Sequence, residues 1–310
     1  MALLDALRAV CAFDPPGALP SCDLEELARV LDAHGLAPLA SYQLENHPLG
    51  AGVPRSFRER LLPIYQGVVN DNVFKLVTLK EALRRVEVPS VLLGGAAYVD
   101  WLYPHLAFRP VGDLRLIVRG PQGAPFAASL AEAGFSSVME GRGGHTATLG
   151  DGRITLRIQE GLVEGRTEDH GVFERGEPFP ALGPCVLRPS AGDALLLTAA
   201  DLGLAGLHGP LFLLVDLREL LVRLDPSDAP RLETLRARAR AAGLERALYG
   251  AMRLVAHYFP EVAPAAAALT PELGRAARLA VDAVLESARD PTRLRLPRGA
   301  KAAAEFLVLP

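Results

Sequence analysis

The sequence contains few of the residues on which several classes of function depend. Only three of its 310 residues are cysteines, and Cys11, Cys22 and Cys185 lie far apart without a CxxC pair. They predict free thiols in a reducing compartment, not a disulfide framework or a zinc site. Aromatic residues make up only 6% of the chain and no basic run is interleaved with them, so base-stacking platforms for nucleic acid are not expected. The formal net charge of −3 gives no overall attraction for nucleic acid either.

The sequence also lacks an apolar run of the length that a bilayer requires. The apolar stretch ALLLTAADLGLAGL, residues 194–207, is too short and is interrupted by Asp201. The first ten residues, MALLDALRAV, include an acidic side chain at Asp5 and predict an amphipathic helix, not a signal peptide. We therefore expect a cytoplasmic protein without a membrane span.

The periodicity of apolar residues divides the chain into three regions. Residues 1–87 carry helical patterns such as CDLEELARVLDAHGL, in which Asp23 is a candidate N-cap. Residues 88–188 alternate strand and helix patterns, with a short helix expected over AAYVDWLYP until Pro104. Residues 189–310 return to amphipathic helices. We predict an α+β fold, in which a small mixed-sheet module is flanked by helical N- and C-terminal regions.

The central region begins with an apolar run that ends in two glycines. VPSVLLGG predicts a buried strand entering a tight turn at Gly94 and Gly95, and DLRLIV, residues 113–118, predicts a second strand. HTATLGDGRITLRIQ, residues 145–159, alternates on both sides of GDG and predicts a hairpin. Glycines at a strand-to-helix turn let the backbone approach a triphosphate, and carboxylates on the next strand can hold divalent metals. A Gly-Gly turn followed by one aspartate, Asp113, is by itself weak support for such a site.

The stretch VPSVLLGGAAYVDWLYPHLAFRPVGDLRLIV, residues 88–118, is more specific. It resembles the core signature of the bacterial uncharacterised nucleotidyltransferase family, within the polymerase-β-like superfamily. A looser similarity extends over most of the chain, where Asp216 matches an aspartate in a family helix. The positions that match the signature are Gly95, Ala96, Tyr103, Pro104, Arg109, Pro110, Gly112 and Asp113. The resemblance implies a nucleotidyltransferase-like module, with nucleotide-binding candidates at Gly94, Gly95, Arg109, Asp113 and Arg115 and a metal-binding candidate at Asp113.

The sequence departs from the family pattern where metal ions would bind. Arg115 replaces the second metal-binding aspartate, Gly94 replaces a lysine, and the strand RITLRIQ offers no carboxylate at the third acidic position. A guanidinium about 4 Å from a bound dication would cost roughly 8 kcal/mol at an effective dielectric near 20. Arg115 therefore argues against Mg²⁺ at Asp113 and against two-metal catalysis.

Three roles for Arg115 remain open from the sequence. It can neutralise Asp113, which stands two residues away on the same strand face, and so close a retired pocket. It can bind a phosphate directly through its forked guanidinium. Alternatively, an active enzyme with a rearranged metal site uses Asp113 together with Asp100 or Glu160. For Arg109 we expect a structural role in shaping the RPVGD turn.

These observations lead to two functional hypotheses. The first is a catalytically degenerate protein of the nucleotidyltransferase fold, which acts as a binding, scaffolding or regulatory protein with a protein partner and, in one version, a bound nucleotide. The second is an active Mg²⁺-dependent nucleotidyltransferase that moves a nucleotidyl group from an NTP to a protein or small-molecule acceptor. Only in the second hypothesis is a catalytic residue assigned, and that residue is Asp113.

Overall fold

The computed structural model of the chain describes residues 2–140, 146–292 and 298–309. The chain divides into two compact units, each assembled from segments that are separated in sequence. The first unit consists of Met1–Val69, Leu102–Pro110 and Thr198–Pro310, and the second of Asn70–Trp101 and Val111–Leu197. The sequence-based division of the chain at residues 87 and 188 stays a prediction. No helix in the described ranges has the length and apolar character of a membrane span.

The first unit is helical, as the periodicity of its segments predicts. The N-cap of its second helix is Asp23, whose side chain accepts hydrogen bonds from the backbone N–H groups of Glu25 and Glu26 at 2.9 and 3.2 Å. The structure has a helix at each of the two places in the first 35 residues where the sequence predicts one, so both predictions are confirmed. The helices that contribute to this unit are α1 (Ala2–Cys11), α2 (Leu24–Ala33), α3 (Ala37–Asn46), the first part of α4 (Arg55–Leu83), the end of α8 (Ala191–Leu204), α9 (Phe212–Val222), α10 (Ala229–Ala241), α11 (Glu245–Tyr258), α12 (Ala263–Leu269), α13 (Arg275–Ala288) and α14 (Arg298–Val308), with 3₁₀ helices at Pro48–Gly50, Leu106–Phe108 and Pro260–Val262.

The second unit contains a mixed sheet of seven strands. The strands are β1 (Ser90–Leu93), β2 (Leu114–Ile117), β3 (Ser136–Glu140), β4 (Thr146–Gly150), β5 (Thr155–Gln159), β6 (Glu177–Pro178) and β7 (Val186–Arg188), and their spatial order is β3-β4-β5-β2-β1-β7-β6. The helices of this unit are the second part of α4, α5 (Gly95–Tyr98), α6 (Gly123–Glu132), α7 (Val172–Arg175) and most of α8, with a 3₁₀ helix at Gly120–Gln122. The predicted α+β class is confirmed.

The centre of the sheet lies where the two predicted strands meet. β1 pairs with β2 in antiparallel orientation, β2 with β5 in parallel orientation, and β4 with β5 as the expected antiparallel hairpin. All four residues of β1 are buried, and in β2 only Arg115 is not fully buried. A half-buried arginine in the middle of an otherwise apolar strand is unusual, because arginine is mostly exposed in folded proteins.

The short helix after β1 ends earlier than the sequence predicts. We expected a helix over AAYVDWLYP until Pro104, but α5 stops at Tyr98. Val99 is extended and Asp100 has a φ of 62°. A residue in this left-handed region cannot continue a right-handed helix, so the chain leaves the helix well before the proline.

Candidate functional site

The turn after β1 brings backbone and an arginine side chain together. Gly94 has φ 65° and ψ −149°, a combination that is essentially restricted to glycine. Gly95, which begins α5, is buried. A Cβ atom placed on Gly94 would lie 3.7 Å from Nη2 of Arg115. The glycine turn and Arg115, two of the features predicted from the sequence, are therefore neighbours in the structure.

Strand pairing places a second arginine directly beside Arg115. In β1 the partner of Arg115 is Leu93, and in β5 its partner is Arg157. Both arginine side chains are half-buried. Paired residues on adjacent strands share one face of the sheet and lie about 4.8 Å apart. Two guanidinium groups therefore project from neighbouring positions on the face that the family resemblance assigns to metal-binding carboxylates.

Asp113 is paired with Arg157 in the structure. Its Oδ2 atom lies 3.2 Å from Nη2 of Arg157, and Nη1 of the same guanidinium lies 3.3 Å from Oε2 of Glu164. The side chains of Arg157 and Asp113 are 38% and 71% exposed. Arg157 thus contacts two carboxylates from two different loops, and all of these groups are accessible to solvent.

The second part of α4 anchors the loop that carries Asp113. Asn72 Oδ1 accepts a hydrogen bond from the backbone N–H of Val111 at 2.9 Å, and Nζ of Lys75 donates to the carbonyl of Gly112 at 3.0 Å. Lys75 also pairs with Asp71 at 2.8 Å. A groove of about 540 Å³ borders this loop, and its lining includes Asp113 and the side chains of Phe74 and Val138.

Arg109 lies in the first unit and is buried. Its Nε and Nη2 atoms both contact the carboxylate of Asp216 at 3.0 Å, and its guanidinium carbon lies 3.8 Å from the ring centroid of Phe212. Tyr103 donates a short hydrogen bond to the same carboxylate. Burial, together with the negative charge of Asp216, raises the pKa of Tyr103 well above its usual value, so the hydroxyl remains a donor. These contacts match the structural role expected for Arg109, whereas nucleotide binding by this residue stays a prediction.

The donor set around Asp113 does not fit a bound Mg²⁺ ion. Mg²⁺ requires several hard oxygen ligands, whereas the residues that flank Asp113 on the paired strands are Arg115 and Arg157. Within the described ranges, no three or more His, Cys, Asp or Glu side chains are arranged to hold a metal ion. The use of Asp113 together with Asp100 or Glu160, the other carboxylates considered from the sequence, stays a prediction.

Sequence reasoning identified Gly94, Gly95, Asp113 and Arg115 but assigned no role to Arg157. The alternation of RITLRIQ placed Thr155, Arg157 and Gln159 on one face of the strand that corresponds to the family's third acidic position. That pattern did not reveal the register between β2 and β5. The register is what makes Arg157 the direct neighbour of Arg115.

Comparisons with known proteins bear on the identity of the fold. No curated protein and no solved structure matches this chain. A model of a protein family described as uncharacterised nucleotidyltransferase matches residues 20–260, which is most of the chain and includes β1, β2, β5 and the glycine turn. Together with the mixed sheet and the strand–glycine–strand layout of the site, this match shows that the chain belongs to the uncharacterised nucleotidyltransferase family.

Proposed function

We propose that this protein is a nucleotidyltransferase-fold protein that has lost two-metal nucleotidyl transfer and works by binding, as a scaffolding or regulatory protein. The observation that carries the proposal is the direct pairing of Arg115 with Arg157 on adjacent strands, with Asp113 engaged by Arg157. In this interpretation, Arg115 stands at a position where the family resemblance places a metal ligand, and Arg157 lies on the strand where the resemblance places the third acidic residue.

Electrostatics supports the proposal. At an effective dielectric near 20, a dication about 4 Å from a unit charge gains or loses roughly 8 kcal/mol. Asp113 and Glu164 would attract a dication, and Arg115 and Arg157 would repel it to a similar extent. Little net attraction is then left to offset the removal of water from Mg²⁺, which this ion resists strongly.

Exposed apolar side chains near the site support binding to a partner protein. Val73, Phe74 and Val77 of α4 are 44%, 46% and 51% exposed, and Val138 of β3 is 65% exposed. Phe74 and Val138 line the same groove as Asp113. Clustered exposed apolar residues are typical of interaction surfaces, and this cluster lies beside the candidate site.

A transfer assay tests the proposal. The protein is incubated with each of the four NTPs labelled at the α-phosphate, with Mg²⁺ or Mn²⁺, and with a cell lysate that supplies protein and small-molecule acceptors. We expect no label transfer and no pyrophosphate release beyond that of a matched Asp113→Asn variant. Metal-dependent transfer that Asp113→Asn abolishes would overturn the proposal and establish the alternative, an active nucleotidyltransferase in which Asp113 binds the metal.

A further inference from the structure

We propose that a groove along the second part of α4 binds an extended segment of a partner protein, with an apolar side chain at one end of the segment and acidic side chains at the other. The inference rests on the proposed function and deepens it, because it names the chemistry of the partner that a binding role requires. The groove, called the α4 groove below, lies entirely within the second unit.

The α4 groove consists of two adjoining cavities. The first, of about 540 Å³, borders the Asp113 loop, and the second, of about 390 Å³, lies between the end of α4 and α6. Arg153 lines both cavities, so they meet at its side chain. Along α4 the lining extends from Asp71 to Arg85, two residues past the end of the helix, which spans about 20 Å. An extended chain covers this length with about six residues.

The first cavity is the apolar half of the α4 groove. Phe74 of α4 and Val138 of β3 are exposed and line it, together with the buried side chains of Leu114 and Ile154. Val77, which is also exposed, follows Phe74 by three residues and therefore shares its face of the helix. An apolar side chain of a partner that covers this half would remove apolar surface from water, which favours binding.

The second cavity is the basic half of the groove. Arg84 and Arg85 line it and are exposed, and neither forms an ion pair with any residue in the described part of the chain. Arg153, by contrast, is paired with Asp151 at 2.8 Å and lies 3.6 Å from Glu81. Two guanidinium groups at this end are thus available to the carboxylates of a partner, and charge complementarity of this kind gives an interface its specificity.

The position of β3 favours an extended partner segment. β3 is the outermost strand at one end of the sheet, and in the described ranges it is hydrogen-bonded only to β4. The N–H and C=O groups on the other side of an edge strand can pair with an added extended chain. Ser136 and Val138, alternate residues of this strand, both line the groove. A chain that follows the edge of β3 therefore runs beside the apolar half.

The acidic residues of the groove favour a peptide over a nucleic acid. Glu81 and Glu132 line the basic half, and Asp71 and Asp113 line the apolar half. A nucleic-acid backbone carries a negative charge at every phosphate and would meet these carboxylates along the whole groove. A peptide can confine its carboxylates to the end where the two unpaired arginines lie. The groove therefore fits a segment that is acidic at one end only.

Fluorescence anisotropy of labelled synthetic peptides tests the inference with the full-length protein. Phe74 and Arg84 are ten residues apart, about 15 Å along the helix, which is about four or five residues of extended chain. The first probe therefore has Leu-Phe, a Ser-Gly-Ser-Gly spacer and Glu-Glu, and the second has the reverse sequence, since the groove does not fix the chain direction. We expect saturable binding of at least one probe. Replacing its Glu-Glu by Gln-Gln, or its Leu-Phe by Ala-Ala, should weaken binding roughly tenfold or more.

Variants of the groove locate the binding. Arg84→Gln/Arg85→Gln and Phe74→Ser should each weaken binding of the probe roughly tenfold. The double arginine variant should bind the Glu-Glu and Gln-Gln peptides equally, because the charges removed on the two sides interact with each other. Arg29→Gln on α2 and Phe306→Ser on α14 are the matched controls, since both residues are exposed outside the second unit, and they should leave the affinity unchanged. Circular dichroism confirms that each variant is folded.

Each contrary result has a defined meaning. Equal binding of the Glu-Glu and Gln-Gln peptides by the wild type, or unchanged affinity in either groove variant, would overturn the inference. Absence of binding by both probes would also overturn it, while the proposed loss of transfer would stand, since the label-transfer assay decides that point separately. Tighter binding of a single-stranded oligothymidylate, weakened by Arg84→Gln/Arg85→Gln, would identify a nucleic-acid surface instead and overturn the peptide assignment. Peptide binding as expected, together with metal-dependent label transfer, would overturn the loss of transfer and support the α4 groove.

Discussion

Two arginine–aspartate pairs of the same chemical type occupy contrasting environments in this protein. Arg109 and Asp216 are buried, with side chains 5% and 0% exposed, and their contacts of 3.0 Å are supplemented by Tyr103 and Phe212. Arg157 and Asp113 are 38% and 71% exposed and make a single contact of 3.2 Å. The buried pair is held by several contacts, although burial still raises the pKa of Asp216, whereas the exposed pair is held by one longer contact. We therefore expect the buried pair to stabilise the first unit strongly and the exposed pair to stabilise the second unit only weakly.

The largest expected effect comes from breaking the buried pair. Asp216→Ala leaves the Arg109 charge buried without its carboxylate, which should lower the free energy of unfolding by about 3–5 kcal/mol. Urea unfolding followed by far-ultraviolet circular dichroism measures this loss. The double variant Arg109→Met/Asp216→Leu is the control, and it should recover part of the stability, because no unpaired charge remains although the Tyr103 hydroxyl loses its acceptor. A double variant as unstable as Asp216→Ala would show that the residues matter for packing and not for their charge.

Removal of the Tyr103 hydroxyl tests a second contact of the buried pair. Tyr103→Phe should lower the free energy of unfolding by about 1–3 kcal/mol, because a buried carboxylate loses a hydrogen-bond donor. The pKa of Tyr103 is raised well above its usual value, so its hydroxyl stays protonated and the loss should be the same at pH 6 and pH 9. Tyr65→Phe is the matched control, since the Tyr65 hydroxyl makes a longer contact, at 3.4 Å, with His105. Equal losses for the two variants would contradict this account.

The buried side chain of His34 should make the stability of the first unit depend on pH. His34 is 5% exposed; its Nδ1 atom accepts the backbone N–H of Leu211 at 3.0 Å, and Nε2 lies 2.9 Å from the carbonyl of Pro291. Burial lowers the pKa of His34, so below about pH 6.5 the unfolded chain takes up a proton that the folded chain does not. Stability should therefore fall as the pH decreases from about 6.5 towards the lowered pKa of the folded state.

Urea midpoints of the wild type and His34→Asn at pH 7.5 and pH 5.5 measure this effect. The asparagine variant has no titrating group at this position, so its stability should depend less on pH than that of the wild type. Identical pH dependences of the two proteins would show that His34 does not titrate differently in the folded and unfolded states.

The smallest effect on stability is expected at the exposed pair. Asp113→Ala should change the free energy of unfolding by less than about 1 kcal/mol, because exposed ion pairs contribute little net stability. The same urea experiment that detects the loss in Asp216→Ala provides the scale. A loss at Asp113 comparable to that at Asp216 would mean that the exposed pair is structural, and the contrast between the two regions would fail.

Local sequence patterns were sufficient for much of the fold. The alternation around GDG, the apolar run before Gly94 and the Asp23 cap each depend on residues close together in the chain, and the corresponding hairpin, strand and helix are present. The helix expected until Pro104 was wrong because the left-handed conformation of Asp100 ends it, and aspartate adopts this conformation without a clear sequence signal.

Only part of the candidate site could be predicted from the sequence. Asp113 and Arg115 stand two residues apart in the chain, so the sequence alone predicts that they share a strand face. The neighbour of Arg115 on β5, Arg157, lies 42 positions further along. Which residues face each other depends on the register of two non-consecutive strands, and a shift by one residue would turn Arg157 to the other side of the sheet. From the sequence, Arg115 was one candidate counter-charge of Asp113, and the structure adds Arg157, which contacts Asp113 at 3.2 Å.

We propose that the arginines at positions 115 and 157 keep this site from holding divalent metal ions. The most direct test is the binding of Mn²⁺, followed by electron paramagnetic resonance, to the wild type and to the double variant Arg115→Asp/Arg157→Asp. We predict that Mn²⁺ remains free in the presence of the wild type and is bound by the double variant, in which three aspartates would share one face of the sheet. Saturable binding of Mn²⁺ by the wild type, lost in Asp113→Ala, would contradict the account.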